Sequence, residues 1–189
     1  MHSNRIIIGI SGASGAIYGI ELLKALKAAQ VETHLVISKS AQIIIAHETE
    51  YTPAQVHALA DHFYSSQDMA ARISSGSFKT MGMIVAPCSM RTLAEIATGN
   101  TTTLLTRATD VILKERRKLV LLPRETPLHS IHIRNMLTLS DMGTIIAPPV
   151  PAFYSKPNSI DEMVQHTVGR VLDLFEIEHD LVKRWDGVA

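Results

Sequence analysis

Residues 5–19 read Arg-Ile-Ile-Ile-Gly-Ile-Ser-Gly-Ala-Ser-Gly-Ala-Ile-Tyr-Gly, and no other segment of the chain restricts its fold as strongly. Residues 6–10 form an apolar run of strand length. Glycines follow at 9, 12 and 15, and Ile17, Ile20, Leu23 and Leu26 then recur at helical spacing. A buried strand that turns through glycine into a helix opens a parallel α/β layer. The same turn suits an anion, because a new helix offers unpaired N–H donors and the positive end of its dipole, while glycine lets backbone come close. Ser11 and Ser14 add hydroxyls. The spacing Gly-x-x-Gly-x-x-Gly is neither the dinucleotide fingerprint Gly-x-Gly-x-x-Gly nor a P-loop, which needs Gly-Lys-Ser/Thr. A tight turn with no ligand remains the alternative.

Further apolar runs at 33–38, 82–86, 119–122 and 144–147 alternate with segments of helical character at 13–29, 39–48, 53–62, 66–74, 90–98, 107–116, 129–140 and 159–176. Alternation of this kind predicts an α/β fold with a parallel sheet covered by helices on both faces. At 189 residues, 1–189 reads as a single domain, long enough to bury roughly 70% of its unfolded surface. Neither an internal repeat nor a low-complexity linker is present. The one shift in composition is 148–157, Pro-Pro-Val-Pro-Ala-Phe-Tyr-Ser-Lys-Pro, whose prolines exclude a central strand and stiffen an extended loop carrying Tyr154.

Lys plus Arg equals Asp plus Glu, 18 against 18, which removes any general attraction to nucleic acid or to an anionic membrane. An anion site must therefore be local. The lone cysteine forbids an internal disulfide, no signal-like segment opens the chain, and no apolar stretch nears the roughly 20 residues of a membrane span. A cytoplasmic address is the expectation.

In an open parallel sheet, ligands bind where loops leave the carboxyl ends of strands. The residues expected there are polar: Ser11 and Ser14, Ser38, Pro87-Cys-Ser-Met-Arg-Thr92, Pro123-Arg-Glu-Thr-Pro127 and the proline loop. Arg91, Arg107, Lys114 and Arg124 offer cations for phosphate, although each alone could be a solvated surface charge. Nine histidines include His129-x-x-His132, but no cysteine or carboxylate pattern completes a metal site, so none is expected. Cys88 reads as a small buried thiol rather than a nucleophile.

Several of these motifs together resemble the UbiX-like flavin prenyltransferases, formerly described as aromatic or phenolic acid decarboxylases. The likeness spans nearly the whole chain. It is carried by Gly9-Ile-Ser-Gly-Ala-Ser-Gly-Ala16, Val36-Ile-Ser-Lys-Ser-Ala41, Glu48-Thr-Glu50, Pro87-Cys-Ser-Met-Arg-Thr92, Arg107-Ala-x-Asp-Val-x-Leu-Lys-Glu-Arg-Arg117, Leu122-Pro-Arg-Glu-Thr-Pro-Leu-His129 and Pro148-Pro-Val-Pro-Ala-Phe-Tyr154. The resemblance implies a flavodoxin-like or Rossmann-like homo-oligomer, often a dodecamer, that binds FMN between subunits. It implies transfer of a dimethylallyl group from dimethylallyl monophosphate to N5 and C6 of reduced FMN, and a separate decarboxylase that takes the prenylated FMN.

Carried over position by position, the resemblance assigns FMN to Gly12, Ala13, Ser14, Ser38, Ser89, Met90, Arg91, Thr92 and Arg124. It assigns the allyl phosphate to Tyr154 and Arg170, with Lys114, Arg107 and Arg124 as further cations and Trp185 as an aromatic face. Glu48, Glu125 and Ser14 match its catalytic positions. Glu125 could instead pair with a neighbouring arginine, and Glu48 could simply end its helix in solvent. Two other functions remain open: an FMN-dependent decarboxylase of the cysteine-decarboxylase type, or a non-catalytic FMN carrier subunit. The first group carries Pro-Ala-Ser-Ala-Asn-Thr where this chain has Pro-Cys-Ser-Met-Arg-Thr, and an arginine in place of that asparagine favours phosphate. A bare carrier has no use for Tyr154, Arg170 or Glu125.

Overall fold

Six parallel strands form one sheet in a computed structural model that describes residues 4–182 and 184. In chain order they are β1 (Arg5–Ile10), β2 (Glu32–Ile37), β3 (His62–Tyr64), β4 (Gly82–Cys88), β5 (Lys118–Pro123) and β6 (Ile145–Ile146). The helices are α1 (Ala16–Ala28), α2 (Lys39–Glu48), α3 (Pro53–His57), α4 (Met90–Ala97), α5 (Leu104–Lys114), α6 (Ser130–Asp141) and α7 (Ile160–Asp173). Across the sheet the order is β3-β2-β1-β4-β5-β6. The chain builds outward from β1 to one edge, returns to the centre, and builds from β4 to the other. The crevice between the carboxyl ends of β1 and β4 is thus the point where strand order reverses, which is where this architecture binds ligands.

Side chains alternate across the pleat and divide the core into two halves. Ile6, Ile8, Ile10, Leu35, Ile37, Ile84, Val120 and Leu122 pack with Ile20, Leu23 and Leu26 of α1 and Val164, Val168 and Leu172 of α7. Ile7, Val36, Met83, Val85, Leu119 and Leu121 pack on the other face with Leu93 of α4, Leu105 and Ile112 of α5 and Leu139 of α6. Strands buried on both faces explain the unbroken apolar runs in the sequence. Gly19 lets α1 lie directly on the sheet: a Cβ there would stand 2.4 Å from the carbonyl oxygen of Ala86.

Two expected helices differ. The helix expected over 53–62 ends at His57, and residues 62–64 instead form the edge strand β3, paired in parallel with β2. Asp61 fastens this edge, its carboxylate accepting from the amide and hydroxyl of Thr33 at 2.8 and 2.9 Å. The helix expected over 66–74 is a looped segment with one 3-10 turn at Arg72–Ser74. Here short polar side chains bond to the backbone instead, Ser65 accepting from the Gln67 amide and Asp68 from that of Ala70. Conversely α5 starts earlier than residue 107, because Thr103 and Thr106 form a reciprocal cap at its amino end. No helix among the described residues is long and apolar enough to cross a membrane.

Candidate functional site

At the crevice, the loops after β1 and β4 are tied to each other. The buried Ser11 donates its hydroxyl to the Pro87 carbonyl at 3.0 Å and accepts from the Ser89 amide at 2.8 Å, while its own amide also bonds Pro87. Gly15 then enters α1 with φ +97°, a conformation open to glycine but strained in other residues. Its amide donates at 2.8 Å to Glu48 at the end of α2. Glu48 therefore faces the amino end of α1, where a negative charge is favoured, rather than ending its helix unattached.

The other tips are organised by helix caps. Ser38 caps α2, accepting from the Ala41 amide and touching the Ser40 hydroxyl at 3.2 Å. Ser89 caps α4 through the amide and hydroxyl of Thr92, with Met90 as the first helical residue. The Ala13 amide is used by the Ser11 carbonyl. Those of Gly12 and Ser14, and the Ser14 hydroxyl, have no partner among the described residues. Unspent donors beside a helix amino end are the set that a phosphate-bearing flavin requires, so these residues fit FMN. After β5, the Arg124 amide bonds the Cys88 carbonyl at 3.2 Å and brings residues 124–125 to the same crevice. The Arg124 guanidinium lies close enough to Tyr18 of α1 to oppose the upward shift that burial gives that phenol. Glu125 is exposed and accepts from the amide of Thr126; among the described residues it forms no ion pair, so the arginine partnership considered for it is absent.

The remaining assigned residues stand elsewhere. The Tyr154 hydroxyl meets His166 Nε2 at 3.1 Å, and Arg170 follows His166 by one turn of α7. Burial, and then Arg170, hold the His166 imidazole below its ordinary range. Arg170 itself is held at 2.7 Å by Asp173, which also takes Arg184 and His179. Arg107 and Lys114 do not line a strand tip of the same chain. They lie on α5, which packs on the face of the sheet opposite α1 and α7, and they pair with Asp110 and Glu115. Lys114 forms part of the wall of a separate groove of about 350 Å³ with Glu95, Asp110 and Met142. Arg91 is exposed on α4 and paired with Glu95. Trp185 lies outside the described residues.

Cys88 is fully buried, and burial pushes its thiol far up, as suits a packing residue. His129 is engaged as the cap of α6, accepting from the amides of Ile131 and His132. Sequence patterns missed Tyr18, His166 and Asp173. The one available signal was spacing, since His166 precedes Arg170 by four residues and shares its helical face.

The family model described as Flavoprotein matches residues 1–172. A probable UbiX-like flavin prenyltransferase of Bacillus subtilis (strain 168) is 60% identical over 184 residues, covering 97% of this chain and 90% of that protein. The chain belongs to the UbiX-like flavin prenyltransferase family. A crystal structure of AnUbiX (PadA1) in complex with FMN and dimethylallyl pyrophosphate superposes with a TM-score of 0.97 at 52% identity, covering 98% of each chain. A dodecameric FMN-dependent UbiX-like decarboxylase from Escherichia coli O157:H7 gives 0.95 at 54% identity, covering 97% of this chain and all of that one. The cysteine-decarboxylase neighbour EpiD, at 19% identity and a TM-score of 0.65, shares the fold alone. UbiX-like prenyltransferases thus share with this chain the six-stranded sheet and a flavoprotein frame.

Proposed function

We propose that this protein transfers the dimethylallyl group of dimethylallyl monophosphate to N5 and C6 of reduced FMN, and that the prenylated FMN is released to a separate decarboxylase. The observation that carries the reading is the pairing of a donor-rich crevice, suited to FMN, with a phenol–imidazole–guanidinium group at Tyr154, His166 and Arg170 that flavin storage alone does not need. Full-length similarity to flavin prenyltransferases supports it.

Reduced FMN supplies the electron-rich nitrogen and carbon that accept the allyl group. Gly12, Ala13, Ser14, Ser38, the 89–92 loop and Arg124 hold it. Breaking an allyl–phosphate bond leaves charge on the phosphate, so preorganised cations aimed at that group favour the transition state. Arg170, Arg107, Lys114 and Arg124 take this role, and Tyr154 donates a hydroxyl. Loss of the C6 proton requires a base, which Glu48 or Glu125 provides with Ser14 alongside. Because the sheet separates Arg107 and Lys114 from Arg170 within one chain, these cations meet one phosphate only if different copies contribute them. A homo-oligomer would bring them together, and the dodecameric structure of the Escherichia coli relative supports that form. A cytoplasmic setting suits the unpaired Cys88 thiol.

The test is to mix the protein anaerobically with reduced FMN and dimethylallyl monophosphate and weigh the extracted flavin. Gain of one C5H8 unit is the expected result. Unmodified flavin, with FMN bound and both substrates intact, would overturn the reading.

A further inference from the structure

At the edge of the sheet furthest from β6, Glu32 and His34 of β2 and His62 of β3 stand together. Residues 32 and 34 share one face of their strand, and His34 is the register partner of His62. Glu32 Oε1 lies 3.0 Å from His34 Nε2 and 3.2 Å from His62 Nε2, and all three atoms fall within 4.8 Å of one another. Ligands bound at about 2.0–2.2 Å around a tetrahedral zinc are separated by somewhat over 3 Å. The two carboxylate–imidazole distances therefore already suit a single ion, and a modest tilt of the stacked His62 ring, whose centroid is 4.7 Å from that of His34, completes the set.

We propose that Glu32, His34 and His62 form a binding site for Zn2+ or a similar borderline divalent ion, outside the prenyl-transfer site and independent of it. The surroundings select such an ion. His34 Nδ1 lies 2.9 Å from the Tyr64 hydroxyl. The Glu32 carboxylate can only accept, so without an ion His34 donates Nε2–H to it and Nδ1 accepts from the Tyr64 hydroxyl. An ion takes the place of that Nε2 proton, and Nδ1–H then donates outward to Tyr64, the second partner that fixes a metal-bound histidine. The other Glu32 oxygen is held by Arg5 Nε at 3.4 Å, which orients the carboxylate but leaves Oε1 to the histidines. Phe78 packs edge-on to His34, and the Asp61 carboxylate is turned to Thr33, so it does not compete as a ligand. His34 is fully buried, whereas the side chains of His62 and Glu32 are 40% and 35% exposed and give an ion its way in. Two imidazoles and one carboxylate suit zinc better than magnesium or calcium, which prefer oxygen alone. A bound ion would clamp the three-residue edge strand β3 to β2, where three register pairs and Asp61 now hold it.

The experiment is a calorimetric titration of the untagged, chelator-treated full-length protein with Zn2+, with bound metal counted after gel filtration. One zinc per chain is expected. His62→Gln, at a half-exposed position that leaves the fold intact, should weaken binding at least 100-fold, and Tyr64→Phe roughly 10-fold through loss of the outer hydrogen bond. His132→Gln, at the stacked His129–His132 pair of α6, should change nothing. Absence of one saturable zinc per chain would overturn the proposal, as would an unchanged titration in His62→Gln or an equal loss in His132→Gln. None of these outcomes depends on flavin turnover, so failure here is separable from failure of the prenyl-transfer reading.

Discussion

Gly19→Ala sets two effects against each other, and the structure says which should win. On an isolated helix the change favours folding by roughly 1 kcal/mol, because alanine is the better helix former. Here the new Cβ would stand 2.4 Å from the Ala86 carbonyl oxygen and 2.8 Å from the Ile10 side chain, against ordinary contact beyond 3.4 Å. The first obstacle is backbone of a central strand and cannot swing aside, so α1 must lift by about 1 Å, the shortfall between those distances. Overpacking of this kind costs about 1–3 kcal/mol, leaving a net loss of about 0–2 kcal/mol. For a chain of this size that lowers the melting midpoint by up to roughly 8 °C. The shift also has a functional sign. Gly19 lies one turn from Gly15, so the displacement carries the Gly12–Gly15 loop away from Ser89 and should weaken FMN binding as well. Scanning calorimetry and a flavin fluorescence titration, run on the variant and the parent, measure both. A variant that melts higher than the parent, with FMN affinity retained, would refute the close-approach reasoning and show that helix propensity governs the position.

Arg170→Ala should raise the KM for dimethylallyl monophosphate by roughly 10- to 100-fold, the scale of a lost charge-assisted hydrogen bond, with FMN affinity unchanged; equal loss of both ligands would refute the assignment. Glu125→Gln should slow single-turnover flavin modification by roughly 100-fold or more while FMN still binds, and an unaltered rate would clear Glu125 of proton transfer. Asp173 is held down to about 2, first by its hydrogen bond to Arg184 and then by His179. Its unfolded carboxyl titrates near 3.8, so its contribution to stability is complete above about pH 4 and disappears as pH falls toward 2. Acid unfolding of Asp173→Asn should therefore lack that component, and superimposable acid curves for variant and parent would contradict it. Cys88 should resist thiol reagents in the native protein and react only on unfolding.

What could be read from the chain follows from where its periodicity was strong. Strands β1, β2, β4 and β5 are buried on both faces and announce themselves as apolar runs, and the loops after them had to fall on one rim once the sheet was parallel. Strand β3 was illegible because His62-Phe63-Tyr64 has no burial signature of its own. It exists by pairing with His34, Leu35 and Val36, a contact nearly thirty residues away. The Glu32–His34–His62 cluster was hidden for the same reason, since His62 joins the other two only across that pairing. Glu48 was legible as a motif position but not as the partner of the Gly15 amide, because the link closes a gap of 33 residues.

The proposed phosphate cations are scattered and locally paired, which suits a chain whose charges balance, 18 against 18. Arg91, Arg107, Lys114 and Arg170 each pair with a carboxylate one to four residues along their own helix or at its end. Collected in one monomer, unpaired, they would repel one another with no anion present. Spread over two faces of a sheet and locally neutralised, they cost the isolated fold little. Arg124 is the exception. It forms no ion pair among the described residues and sits at the crevice itself beside Tyr18. Under the proposed function it is the cation a single chain would present to a phosphate, and the rest would join it as copies assemble. If copies assemble as proposed, phosphate affinity should accordingly fall when they dissociate, whereas the Ser11–Ser89 and Gly15–Glu48 contacts within one chain should persist.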